Sequence, residues 1–151
     1  MREAILLPRP ARPGGPTILI GGNGRRRTLP LAARYAAEWN GVYLAPAAFA
    51  GLNGELDGLL RAAGRRPEAV RRSLMAGCVF ARDAAALEAK AARRNTTPDK
   101  LRASGRLAVG DGAAIADQLA AWEAAGVQRI MLQWLDLDDL DGIAALAAAV
   151  L

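Results

Sequence analysis

Pro16-Thr17-Ile18-Leu19-Ile20-Gly21-Gly22-Asn23-Gly24, followed by Arg25-Arg26-Arg27-Thr28, decides how this chain is read. Thr17 to Ile20 are β-branched or aliphatic without a charged break, which suits a strand buried on both faces, as in a parallel sheet covered by helices. Three glycines within four residues then end the strand. They permit positive φ and let backbone N–H groups approach an anion with no Cβ in the way. In Thr28-Leu29-Pro30-Leu31-Ala32-Ala33-Arg34-Tyr35-Ala36-Ala37, Leu31 and Tyr35 repeat at helical spacing, and Pro30 fits a first turn. The order is strand, glycine loop, helix. Such a loop offers free amides and the positive end of a helix dipole to a phosphate. A plain turn has the same composition, so both readings stand at this point.

Composition narrows the chemistry. A chain of 151 residues is long enough for one domain with a core and too short for two of ordinary size. The hydrophobic fraction is 52%, yet no apolar run approaches the roughly 18 residues that cross a bilayer. Met1-Arg2-Glu3 leads into prolines rather than a signal core, so the expected location is cytoplasmic, without a membrane partner. The single Cys78 rules out a disulfide within the chain, and with no histidine neither a Cys/His metal site nor a Ser-His-Asp triad can be built from this chain. A net charge of +5 raises the question of nucleic acid. The arginines, however, are scattered among alanines with no aromatic residues interleaved to stack on bases. That pattern predicts a solvated surface and no nucleic-acid partner.

Along the chain, residues 1 to 16 hold Pro8, Pro10, Pro13, Pro16 and Gly14-Gly15, which predicts an extended connector ahead of one domain from 17 to 151. Glu38-Trp39-Asn40-Gly41-Val42-Tyr43-Leu44 reads as a second strand, bounded by Pro46. Phe49, Leu52, Leu56, Leu59 and Leu60 then recur at spacings of three and four, and Gly64 sits where a helix ends. Arg71 to Phe80 reads as a third strand. Asp83 caps the helix after it, and Thr97-Pro98 opens another short helix. Leu107-Ala108-Val109-Gly110-Asp111-Gly112 reads as a turn before a helix with Ile115, Leu119 and Trp122 on one face. Val127 to Trp134 is the fourth strand, and Asp136, Asp138, Asp139 and Asp141 precede a last apolar helix. Helix capping and dipole compensation account for that acidic cluster better than a metal site does. Four strands alternating with helices predict an α/β fold with right-handed crossovers and an all-parallel sheet.

Two runs carry a family likeness. Ile20-Gly21-Gly22-Asn23-Gly24, Leu31-Ala32-Ala33-Arg34-Tyr35-Ala36 and Trp39-Asn40 resemble the second half of the luciferase-like monooxygenase superfamily. Ala125-Gly126-Val127-Gln128-Arg129-Ile130-Met131-Leu132-Gln133-Trp134 is similar to the end of its F420-dependent branch. The resemblance implies parallel β/α units forming about half of a TIM-type (β/α)8 barrel. It also implies coenzyme F420, or FMN in its place, with its phosphate at the glycine loop, and hydride transfer or oxygen activation on a small-molecule substrate. Two departures accompany it. Ala37 stands where the family commonly has Asp, and a full barrel takes about 250 residues. The first-half strands, which bring most residues around the reactive ring, are not represented in this chain. The implied role is the cofactor-phosphate-binding half of an oxidoreductase, incomplete for catalysis alone. The alternative is a non-catalytic half-barrel serving as an assembly or interaction module.

In such barrels functional residues lie at the C-terminal ends of strands and just beyond. That rule selects Gly21, Gly22, Asn23, Gly24 and Arg25 after the first strand, Asn40 in the second, Gly77 in the third, and Gln133 and Trp134 at the fourth. Arg25, Arg26 and Arg27 add charge suited to phosphate oxygens. Asn40 reads equally as a ligand contact or as a hydrogen bond closing a turn. Trp39, Trp122 and Trp134 read as packing, and Cys78 as an inert buried thiol. If the strands lie in chain order, Thr17–Ile20 and Arg129–Leu132 are apolar outer edges. Unblunted edges seek a partner, so a homo-oligomer or a separate first-half protein is expected.

Overall fold

The ten-residue strand β3, Arg71–Phe80, is the element on which the sheet is assembled. The computed structural model describes residues 7–8 and 11–150; half of the expected connector, residues 1 to 16, lies outside them. In chain order the elements are β1 (Leu19–Gly21), α1 (Thr28–Tyr35), β2 (Glu38–Val42), α2 (Pro46–Ala62), a 3-10 turn (Pro67–Ala69), β3, α3 (Ala84–Ala92), α4 (Pro98–Ala103), β4 (Leu107–Gly110), α5 (Gly112–Ala124), β5 (Arg129–Trp134) and α6 (Leu140–Val150). Every strand pairing is parallel. The α/β alternation, the parallel sheet and the outer positions of β1 and β5 agree with the sequence.

The strand count needs correction, because β4 occupies the stretch read as a turn. Residues 73–75 of β3 pair with both β2 and β5, and Gly77 and Cys78 pair with both β4 and β5. So β5 takes one edge of β3, while β2 and β4 share the other edge in succession. β3 outruns β2 by several residues, and its leftover edge is what captures Leu107–Gly110. The glycines that bracket this short segment dominate its local signal. Gln118 on α5 blunts the far side of β4: Val109 N–H donates to its Oε1 at 3.1 Å, and its Nε2 donates to Val109 O at 3.1 Å.

One face of the sheet is packed by helices. Trp39, fully buried, stacks on Phe49 of α2 with ring centroids 5.1 Å apart. Leu29, Leu56, Leu60, Leu74, Ile115 and Trp122 fill the same layer. Arg72 also points to this side and is 5% exposed. Its Nε donates to Asn53 Oδ1 at 2.6 Å, one terminal nitrogen pairs with Asp57 at 2.5 Å, and the other donates to the carbonyls of Pro67 and Val70. A guanidinium with all three nitrogens donating, one of them to a carboxylate, is the form in which a charge tolerates burial. A small second cluster of Val79, Ala81, Leu87 and Val109 lies beneath α3.

Alternation puts Glu38, Asn40, Arg71, Ser73, Met131 and Gln133 on the opposite face. Near the N-terminal ends of the strands, Glu38 meets Arg129 at 3.2 Å and Arg71 at 4.0 Å. A hollow of about 990 Å³ opens there, lined by Thr17, Ile18, Glu68 and Gln128 among others. Among the described residues no helix is long and apolar enough to cross a membrane.

Candidate functional site at the strand ends

The loop from Gly21 to Arg27 leaves the C-terminal end of β1 and enters α1. Gly22 has φ of +122°, a conformation that L side chains rarely adopt, and Trp39 Nε1 donates to its carbonyl at 2.9 Å. A Cβ at Gly24 would stand 2.9 Å from Thr28 Oγ1. Gly22 N–H donates to Asn40 O at 2.9 Å, continuing the ladder in which Gly21 sits opposite Asn40. These bonds fix the start of the loop and leave its middle open. No backbone carbonyl among the described residues takes the N–H groups of Asn23, Gly24, Arg25 or Arg26. α1 begins without a side-chain cap and without an acidic residue in its first turn. Its positive dipole end therefore faces three exposed arginines.

Each residue expected at the site has a definite place. Asn23 does not offer its side chain to a ligand: Nδ2 donates to Val42 O at 2.8 Å, and Oδ1 accepts Val42 N–H at 2.9 Å. Its contribution is to brace the loop against the end of β2. Arg25 lies 3.1 Å from Glu55 in an exposed ion pair, while Arg26 and Arg27 face solvent. Asn40 is buried within β2 and its Nδ2 donates to Ser73 Oγ at 3.0 Å, which in turn donates to Trp39 O at 3.2 Å. The hydrogen bond that Asn40 donates therefore runs across the sheet rather than closing a turn. Gly21 to Arg25 and Asn40 thus come together at one end of adjacent strands.

Tyr43 belongs to this end and was hidden in the sequence. Reading the second strand through Leu44 places Tyr43 in its interior, but β2 ends at Val42 and Tyr43 turns out of the strand with φ of +51°. Its hydroxyl donates to Gln133 Oε1 across β3. A Cβ at Gly77 would stand 3.3 Å from Tyr43 Cε1, so glycine leaves the room for that ring. A non-glycine residue in the left-handed region costs about 1 kcal/mol or more and persists where its surroundings hold it. Trp122 donates to Leu44 O at 2.9 Å, and Trp134 packs against Phe80 with centroids 6.4 Å apart.

Behind β5, Lys90 reaches Asp139 at 2.7 Å and Asp136 at 3.1 Å, and its ammonium lies 5.3 Å from the Trp134 ring centre. Arg94 meets Asp136 at 2.8 Å. Asp139 also caps α6, accepting Gly142 N–H at 2.8 Å. Two of the four clustered aspartates are thus held in ion pairs, one of them doubling as the expected cap. Cys78, 5% exposed, has its thiol pushed up to about 11, chiefly by burial.

No family model and no curated protein sequence matches the chain. Solved structures do. A monooxygenase from Streptomyces bottropensis superposes with a TM-score of 0.74 at 17% identity, over 95% of this chain and 50% of its own. An F420-dependent secondary alcohol dehydrogenase, in complex with an F420-acetone adduct, gives 0.68 at 15% identity, over 89% and 49%. The coenzyme F420-dependent tetrahydromethanopterin reductase of Methanopyrus kandleri gives 0.65 at 14% identity, over 87% and 48%. The chain spans about half the length of these proteins and shares the parallel α/β fold of that half, in keeping with the expected half of a TIM-type barrel.

Proposed function

We propose that the chain is the cofactor-phosphate-binding half of a luciferase-like oxidoreductase that uses F420, or FMN in its place, on a small-molecule substrate in the cytoplasm. The observation that carries this reading is the Asn23–Thr28 loop. Backbone amides without backbone acceptors, an uncapped helix start with no acid in its first turn, and the exposed Arg26 and Arg27 beside Arg25, which Glu55 already pairs, gather positive charge that a bound anion relieves. The residues fit a phosphate: glycine keeps Cβ atoms away, and Arg25 or its neighbours supply planar charge. When bound, the flavin or deazaflavin ring would supply the hydride or oxygen chemistry. This chain's part is to hold the phosphate, with Asn40 and Ser73 keeping the strand ends in register and Tyr43 and Gln133 forming a polar pair at the same end. Titration with F420 and with FMN, followed by fluorescence, tests the reading. Saturable binding that is lost in Gly22→Val, with helical content retained, is the expected result. No binding by the unmodified chain up to millimolar ligand overturns it.

A second reading, a half-barrel that serves assembly without chemistry, is favoured by the apolar side chains exposed at both ends of the sheet, Leu19 at 47% and Leu140 at 71%. Retention of an oligomer without any cofactor binding would select it.

A further inference from the structure

The helices run around the covered face in the order α1, α2, α5, α6, each packed on the next. β1 with α1 and β5 with α6 are therefore the two ends of the half-barrel, and each end strand has one edge that no strand among the described residues pairs. The large hydrophobic side chains left open to solvent are concentrated at those ends. Apart from Leu7, those found among the described residues all lie in the first β/α unit, with Ile18, Leu31 and Tyr35 about half exposed, or in the last, with Leu137 and Leu140 more than two-thirds exposed and Ile143 at 42%. The units between them have none. A monomer's exposed apolar residues are normally scattered, and their concentration at two edges marks an interface.

The two ends are also complementary in charge. At the C-terminal end of the strands, Arg26 and Arg27 are exposed beyond β1, while Asp138 and Asp141 are exposed beyond β5. The hollow at the opposite end of the sheet is balanced within itself, with Glu38 and Glu68 against Arg71 and Arg129. A copy facing it would bring no net like charge, although the chain as a whole carries +5.

From these observations we propose that a second copy of this chain closes the barrel: β1 of each copy pairs in parallel with β5 of the other about a two-fold axis along the barrel. Parallel pairing requires strands of one direction all the way round, and a two-fold along the barrel axis preserves that direction. The contact is self-complementary, because the end that one copy presents as β1/α1 is met by the β5/α6 end of the other, twice. Eight main strands result, four from each copy, with β4 left outside the ring on the extension of β3. Closure removes both edges and covers the apolar side chains beside them. The proposal does not depend on the cofactor reading.

Sedimentation equilibrium of the 151-residue chain, alone and as Leu31→Glu and Ile143→Glu variants, tests it. Both side chains are exposed in the single copy, so neither change should disturb folding, which circular dichroism verifies. The expected result is a dimer at micromolar concentration whose dissociation constant rises at least tenfold in each variant, while Glu88→Lys on α3 leaves it unchanged. A monomer across that range, a dimer indifferent to both variants, or open-ended polymers would each overturn the proposal. A monomer that binds F420 or FMN would overturn it and leave the function proposed above intact.

Discussion

The side chain of Asn23 is bonded at both ends to the backbone of a single residue, Val42, donating to its carbonyl at 2.8 Å and accepting its N–H at 2.9 Å. An asparagine amide used this way extends the ladder by one rung where β1 has already ended, and it locks the glycine loop to the neighbouring strand. Asn23→Ala removes both bonds. The expected loss is about 1–2 kcal/mol, read as a lower urea midpoint, since the loop can rehydrate the exposed Val42 groups. Asn23→Asp keeps the acceptor and loses the donor, so it should fall between Ala and the unmodified chain. Equal midpoints for all three would show that the rung contributes nothing.

Arg72 and Arg71 are adjacent in sequence and opposite in consequence. Arg72 is buried with its donors shared among Asn53, Asp57 and two carbonyls, whereas the Arg71 side chain is 53% exposed and 4.0 Å from Glu38. Removing one partner of a buried ion pair typically costs about 3–5 kcal/mol, and removing an exposed one about 0–1. Arg72→Met should therefore destabilise the chain by about 3 kcal/mol or more, and Arg71→Met by less than about 1 kcal/mol. Similar unfolding midpoints for the two variants would contradict the packing described here.

These residues also show what the sequence can carry. Strand, loop and first helix were legible because glycine clusters and Pro30 leave strong local marks. Asp83 and Thr97 announced their helices, and their side chains accept Ala86 N–H and Lys100 N–H as expected. β4 was not legible, because four residues between glycines become a strand only when β3 offers a free edge. Arg71-Arg72 gives no sign of which guanidinium is buried; that depends on α2 presenting Asn53 and Asp57 to one side of β3. Asn23 was selected for the right loop, but its side-chain role required knowing where β2 stops. Tyr43 was lost to the same boundary.

Cys78 offers a test of the packing behind β3. Burial raises its thiol to about 11, nearby Lys90 draws it down less, and Asp136 raises it further. At pH 8 only about one thiol in a thousand would then be ionised, and the thiolate is the species that reacts. A thiol reagent at pH 8 should label the native chain orders of magnitude more slowly than the urea-unfolded chain. Labelling at the same rate in both states would mean that β3 is not covered as described.

The Lys90 cluster sets the acid limb of stability. Burial pushes the Asp136 carboxyl up, but hydrogen bonds from Arg94 and Lys90, with their charges, outweigh it and hold the carboxyl below its ordinary value of 3.8. Asp139 is held low chiefly by the Lys90 hydrogen bond, with help from Gly142 N–H. A carboxyl whose folded value lies below its unfolded one stabilises the fold fully above the unfolded value. That stability is lost as pH falls through the folded value, because the folded state must then take up protons at the expense of its ion pairs. The urea midpoint should accordingly show no contribution from these groups to its slope between pH 7 and about 5, and should decline below about 4. Lys90→Met keeps an apolar stem against Trp134 and removes the charge that both carboxylates share. It should lower stability at neutral pH and flatten the decline below pH 4, because less is left to lose on protonation. An acid limb equally steep in the variant would place the responsible carboxylates elsewhere in the chain.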